Sequence, residues 1–132
     1  MTTIERTMEA EAIGPVGIGN AEHYRWADVC DGWHLLKLDG FSVIRERVPP
    51  GISETRHRHV RARQFFYVLD GAAVLEVDGI RHALAAGTGL HVPPGAAHQF
   101  RNESDADVHI LVISVPKSHG DRENVVDMGA VA

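Results

Sequence analysis

The chain has a single cysteine, Cys30, so no disulfide can form within it. Basic residues are outnumbered as well: 13 Lys and Arg stand against 18 Asp and Glu, a formal net charge of −5 at pH 7. That balance argues against a nucleic-acid partner, since affinity for phosphates rests on Lys and Arg neutralising them. Long hydrophobic runs are missing too. The N-terminal "MTTIERTMEAEAIG" places charges where a secretory signal needs an apolar stretch, and no segment is suited to crossing a bilayer. The expectation is a cytoplasmic protein with no membrane partner.

What is present is an ordinary globular balance over 132 residues, enough for one domain with one core. Its 13 Gly and 6 Pro are spread along the chain as turn punctuation. From Phe41 onward, short apolar runs are cut by Gly, Pro, Asp and Asn, as in "FSVIRERVPPG", "QFFYVLDG", "AVLEVDG" and "VHILVISVP". Strands at that spacing predict an antiparallel all-β barrel or sandwich, and "VDGI" predicts a tight hairpin because Asp-Gly suits positive φ. Residues 1–40 read as an N-terminal arm and the first strands of the same domain, 41–115 as the barrel core, and 116–132 as a tail. Trp26 and Trp33 read as core anchors.

Nine histidines are scattered through the sequence, and two of them stand apart. His57 and His59 in "HRHVRARQ" point to one face if the chain is extended, because side chains alternate across a strand. Gln64 begins the next strand after a short turn. His98, which follows "PPGAA" and begins "HQFRN", can supply a third imidazole from across a barrel. Such a cluster suits a metal ion. His23, His34, His82, His91 and His109 read as structural or exposed.

These two segments together resemble the paired motifs of the cupin superfamily. The first motif, G-x5-H-x-H-x3–4-E-x6-G, is met by Gly51, His57, His59 and Gly71, with Gln64 in place of Glu. The second, G-x5-P-x-G-x2-H-x3-N, is met in full by Gly87, Pro93, Gly95, His98 and Asn102. The resemblance covers about half the chain. It implies an antiparallel jelly-roll β-barrel, one divalent ion (Zn, Mn, Fe or Ni) on His57, His59, Gln64 and His98, and a homodimer. Fold alone does not set the chemistry, which varies widely among cupins.

Glutamine can coordinate through its carbonyl oxygen, more weakly than a carboxylate. A set of three imidazoles and one amide would leave the ion its full charge, which favours anionic ligands and Lewis-acid chemistry. The alternative is a metal-free barrel in which Gln64 bonds a histidine.

Two carboxylates are candidate catalytic groups. Glu46 shares strand parity with Ser42, Ile44 and Val48, the less charged face of "SVIRERV", and should turn inward, where burial raises its pKa. Glu54 lies just before the histidines, where oxalate-decarboxylating cupins carry an arginine. Phe66, Val68 and Phe100 share parity with Gln64 or His98 and are expected to line an apolar pocket. Arg61 and Arg63, in the turn, are candidates to clamp a carboxylate or phosphate, whereas Arg58 must point away from its flanking histidines. The tail, with His119 and Asp121, is expected either to be disordered or to pack over the barrel mouth.

Three functions fit these residues. The leading one is a Lewis-acid isomerase, lyase or epimerase-like enzyme acting on a small carbonyl- or carboxylate-bearing substrate. The others are a dioxygenase using Fe or Mn, and a non-catalytic module that binds a small, anionic ligand.

Overall fold

The computed structural model describes residues 13–126. Every regular element in it is a strand: β1 (Glu22–Trp26), β2 (Cys30–Lys37), β3 (Ser42–Val48), β4 (His57–Arg58), β5 (Arg63–Asp70), β6 (Ala72–Val77), β7 (Ile80–Ala85), β8 (Gly89–Val92), β9 (His98–Arg101), β10 (Val108–Val115) and β11 (Glu123–Asn124). They form two antiparallel sheets, ordered β1-β2-β3-β10-β5-β8 and β11-β4-β9-β6-β7. This is the antiparallel jelly roll that the paired motifs imply.

Both sheets feed one core. Val48, Val68, Val108 and Ile110 from the larger sheet meet Leu75 and Phe100 from the smaller, each at most 2% exposed. Strand alternation produces this inward set. In β10, Val108, Ile110, Val112 and Ser114 are buried, while the residues between them are half-buried. The "VDGI" hairpin forms as expected: Asp78 and Gly79 adopt φ of 50° and 87°, and Val77 pairs with Ile80. Positive φ at both central positions matches the right-handed strand twist that a two-residue turn must follow.

The two flanks of the barrel core complete its sheets. At the N-terminal side β1 pairs with β2, and β2 with β3, so the larger sheet extends by two strands within its own chain. The expected arm at residues 1–12 lies outside the described residues. At the other side, residues up to 126 are ordered and β11 pairs with β4, the strand that carries His57. Trp26 packs against the core as expected. Trp33 does not join it; it is half-buried, with its ring 5.5 Å from that of His23.

Candidate metal centre

His57 and His98 are direct cross-strand partners between β4 and β9, and His59 follows two residues after His57 on the same face. Their ring centroids lie 4.4 Å (His57–His98), 4.9 Å (His57–His59) and 5.7 Å (His59–His98) apart. One nitrogen from each ring falls within 4.8 Å of the others. All three residues are buried.

Each ring is oriented by a backbone carbonyl. His57 Nδ1 donates to Thr55 O at 2.7 Å, His98 Nδ1 to Ala96 O at 3.0 Å, and His59 Nδ1 to Asp121 O. A carbonyl can only accept, so the proton sits on Nδ1 and the Nε2 lone pair of each ring is left free, as metal ligation requires. Burial holds the rings neutral: His57 is pushed down to about 3 and His98 to about 4, and His59 is lowered as well.

Gln64 completes the set from the opposite sheet. Its Nε2 donates to Ser114 Oγ at 3.0 Å across the β5–β10 pair. Its Oε1 is buried and has no hydrogen-bond partner, and neither has His98 Nε2. Buried polar atoms without partners are costly. Two unsatisfied acceptors, one of them within the cluster of three imidazoles whose nitrogens lie within 4.8 Å of one another, are a donor set that fits a divalent cation. A metal-free arrangement in which Gln64 bonds a histidine does not match these contacts.

His57 and His59 open onto a cavity of about 500 Å³, whose wall includes Gln64, Phe66, Ile44 and Val112, while His98 is fully buried behind them. Both candidate carboxylates line it. Glu46 turns inward as its parity predicts, and burial raises its pKa to about 7, against the lowering effect of a 3.2 Å hydrogen bond from Tyr24 Oη. Glu54 is raised to about 8, chiefly by burial and then by the charge of Glu46, although the Phe100 N–H donates to it at 3.1 Å.

Tyr24 reaches Glu46 by crossing a strand. Tyr24, Gly32 and Glu46 stand in one row across β1, β2 and β3. A Cβ on Gly32 would overlap the Tyr24 ring, so the missing side chain is what lets that ring lie over β2. Nothing in the spacing of "EHYRW" announces this role. A glycine within a strand pattern was the available signal, since it marks close approach of another group.

Three of the expected pocket residues are placed elsewhere. Val68 and Phe100 belong to the core rather than the cavity wall: their strands' inward face runs on past the cavity into the closed interior, where Phe100 stacks behind Phe66 at 6.3 Å. Phe66, nearer His98 at 5.7 Å, is the one that lines the cavity. Arg61 is exposed and outside the cavity, because the Asp121 carboxylate holds its turn by the backbone, accepting from the N–H groups of Val60, Arg61 and Ala62 at 2.8–2.9 Å. Arg63 bonds His91, and Arg58 points outward to Glu123. In their stead the tail contributes Ser118, His119 and Arg122 to the cavity wall.

A family profile described as the cupin domain matches residues 44–114, just over half of the chain, and the chain belongs to that family. Among curated relatives, Protein SchB of Streptomyces halstedii is 33% identical over 72 residues, 54% of this chain and 49% of SchB. The chain thus spans about half the length of that relative. Among solved structures, a sugar phosphate isomerase of the cupin superfamily from Silicibacter pomeroyi superposes with a TM-score of 0.67 at 25% identity, covering 79% of this chain and 76% of that one. The polyketide cyclase RemF from Streptomyces resistomycificus gives a TM-score of 0.75 at 19% identity, with 87% of each chain covered, a likeness of fold alone. No helix among the described residues is long and apolar enough to cross a membrane.

Proposed function

We propose that this cupin holds one divalent ion, Zn, Mn, Fe or Ni, on His57, His59, Gln64 and His98, and acts as an isomerase, lyase or epimerase-like enzyme on a small carbonyl- or carboxylate-bearing substrate. The observation that carries the reading is the pairing of two features at one cavity, whose wall holds His57, His59, Gln64 and both carboxyls with His98 buried behind. One is a neutral donor set with unsatisfied Gln64 Oε1 and His98 Nε2. The other is a pair of carboxyls, Glu46 and Glu54, raised to about 7 and about 8. The sugar phosphate isomerase among its structural neighbours is consistent with it.

Bound there, a divalent ion would supply Lewis acidity toward a carbonyl or carboxylate oxygen. The protein supplies the proton chemistry. Two coupled carboxyls that titrate near neutrality spend much of their time with one protonated and one ionised, which provides an acid and a base together. Tyr24 fixes the Glu46 carboxyl by donating to its Oε2. Phe66, Ile44 and Val112 give the cavity apolar walls that strengthen charge interactions within it.

The test is proton exchange. Metal-loaded protein should exchange the α-protons of small 2-oxo and 2-hydroxy carbonyl compounds with D₂O, followed by NMR, and Glu46→Gln and Glu54→Gln should lose exchange while keeping metal. Oxygen uptake without exchange would transfer the reading to a dioxygenase. Ligand binding with neither activity would transfer it to a binding module.

A further inference from the structure

Arg122 is the one guanidinium on the wall of the main cavity, and no lysine accompanies it. It lies outside the segment matched by the cupin profile, on the tail that leads into β11. Register explains its direction. Glu123 pairs with Arg58 and Asn124 with His57, so continuing the ladder by one residue sets Arg122 opposite His59. Arg58 and Glu123 share the outer face, where they pair at 2.9 Å, and alternation turns Arg122 toward the side of the histidines.

Among the described residues no carboxylate pairs with it at salt-bridge distance; its charge does reach Glu54 on the same wall, where it opposes the rise in that carboxyl's pKa. Its Nε donates to Asn124 Oδ1 at 3.2 Å, and its Nη2 makes only a 3.4 Å contact with Thr55 O, which leaves Nη1 and much of the terminal edge of the guanidinium uncommitted. Its charge reaches the site, since after burial it is among the effects that disfavour protonation of His57 and His98. The donors His57, His59, His98 and Gln64 carry no negative charge, so Glu54, which it reaches only through space, is the acidic group of the cavity that its charge acts on.

We propose that Arg122 is a specificity-determining residue that anchors a single carboxylate of the ligand at the cavity mouth, so that the substrate is a monoanionic 2-oxo or 2-hydroxy acid. The terminal edge of a guanidinium matches the two oxygens of a carboxylate. One guanidinium with no salt-bridge partner matches one negative charge better than the two of a phosphomonoester dianion. The proposal rests on the Lewis-acid reading above for the direction of the ligand's carbonyl, which the anchored carboxylate would leave facing the histidines and Glu46.

The experiment is calorimetric titration of the full chain, metal-loaded and metal-free, with three probes: pyruvate, its uncharged methyl ester, and inorganic phosphate. Wild type should bind pyruvate at least tenfold more tightly than the ester. Arg122→Gln should abolish that preference while leaving the ester's affinity unchanged, and Arg122→Lys should restore part of it. Melting curves of both variants check that the tail remains docked. A preference that survives in Arg122→Gln, equal affinity of wild type for acid and ester, no binding of pyruvate at millimolar concentration, or tighter binding of phosphate than of pyruvate would each overturn the assignment. The metal arm separates the two claims. If the acid-to-ester ratio depends on Arg122 while metal changes neither affinity, the anchor stands and the Lewis-acid reading falls.

Discussion

The segment matched by the cupin profile and the two flanks around it contribute different things to the same cavity. Residues 44–114 supply His57, His59, Gln64 and both carboxyls on its wall and His98 in the histidine cluster behind, four neutral donors in all. The flanks supply Tyr24, His119 and Arg122, which line the cavity, and Asp121, which touches a donor from behind. On the proposed reading, the shared segment sets what can be held, and the flanks set how it is oriented and what charge enters. Two cupins with the same four donors could differ in substrate through strands that no motif covers.

The strongest challenge to this division is to remove the central donors. A His57→Ala/His59→Ala double variant should lose essentially all bound metal by elemental analysis yet keep its β-type circular dichroism, because the core of Val48, Val68, Leu75 and Ile110 is independent of the site. Full metal retention would end the assignment. Next comes the flank's hold on the site. Asp121→Ala should free the turn at residues 60–62 while keeping the backbone carbonyl that accepts from His59, so metal affinity should weaken toward the lower end of the about 10–100-fold cost of losing an outer support, measured in competition with a chelator. Unchanged affinity would confine the metal centre to the matched segment.

A smaller effect is expected at Gly32. Gly32→Ala should expel the Tyr24 ring from β2 at a cost of about 1–3 kcal/mol in stability, the usual range for overpacking. It should also raise the Glu46 pKa further, because the Tyr24 hydrogen bond is what lowers it. Tyr24→Phe should reproduce the pKa change with less loss of stability, and carboxyl NMR can follow both.

The smallest effect is a slope. Glu46 titrates at about 7 when folded, above its ordinary 4.5, so the unfolded chain releases that proton first as pH rises. Its stabilising share is complete below about 4.5 and is lost as pH climbs toward 7. The buried histidines act in the opposite sense, losing stability as pH falls below their ordinary 6.5. In metal-free protein, the difference in melting temperature between wild type and Glu46→Gln should therefore shift against wild type by a few degrees between pH 5 and pH 8; a constant difference would show that Glu46 titrates normally.

Legibility in the sequence followed the same boundary. His57 and His59 could be read because strand alternation brings them to one face, Gln64 and His98 because they fill fixed positions of the two cupin motifs, and Glu46 because its neighbours in β3 share one parity. Phe66, Val68 and Phe100 were read by the same parity, which fixes the face of a strand but not the depth along it, so only Phe66 was placed at the cavity. Arg61 was proposed as a clamp from nearness in sequence; the turn's direction depends on Asp121, sixty residues later. Tyr24 and Arg122 depend on pairings of β1 with β2 and of β11 with β4, which local pattern does not encode.

The Ser114 hydroxyl beneath Gln64 can accept a proton or give one. At present it accepts from the amide nitrogen and so decides which end of the glutamine faces the histidines. Were position 64 a glutamate, the same hydroxyl could rotate and donate, and the second carboxylate oxygen would take the place of the amide oxygen. The charge of the donor set is thus a one-residue setting on an unchanged scaffold. Gln64→Glu should fold as well as the parent once metal is added and grip the ion more tightly, while a variant that also replaces Ser114 by alanine should lose that indifference.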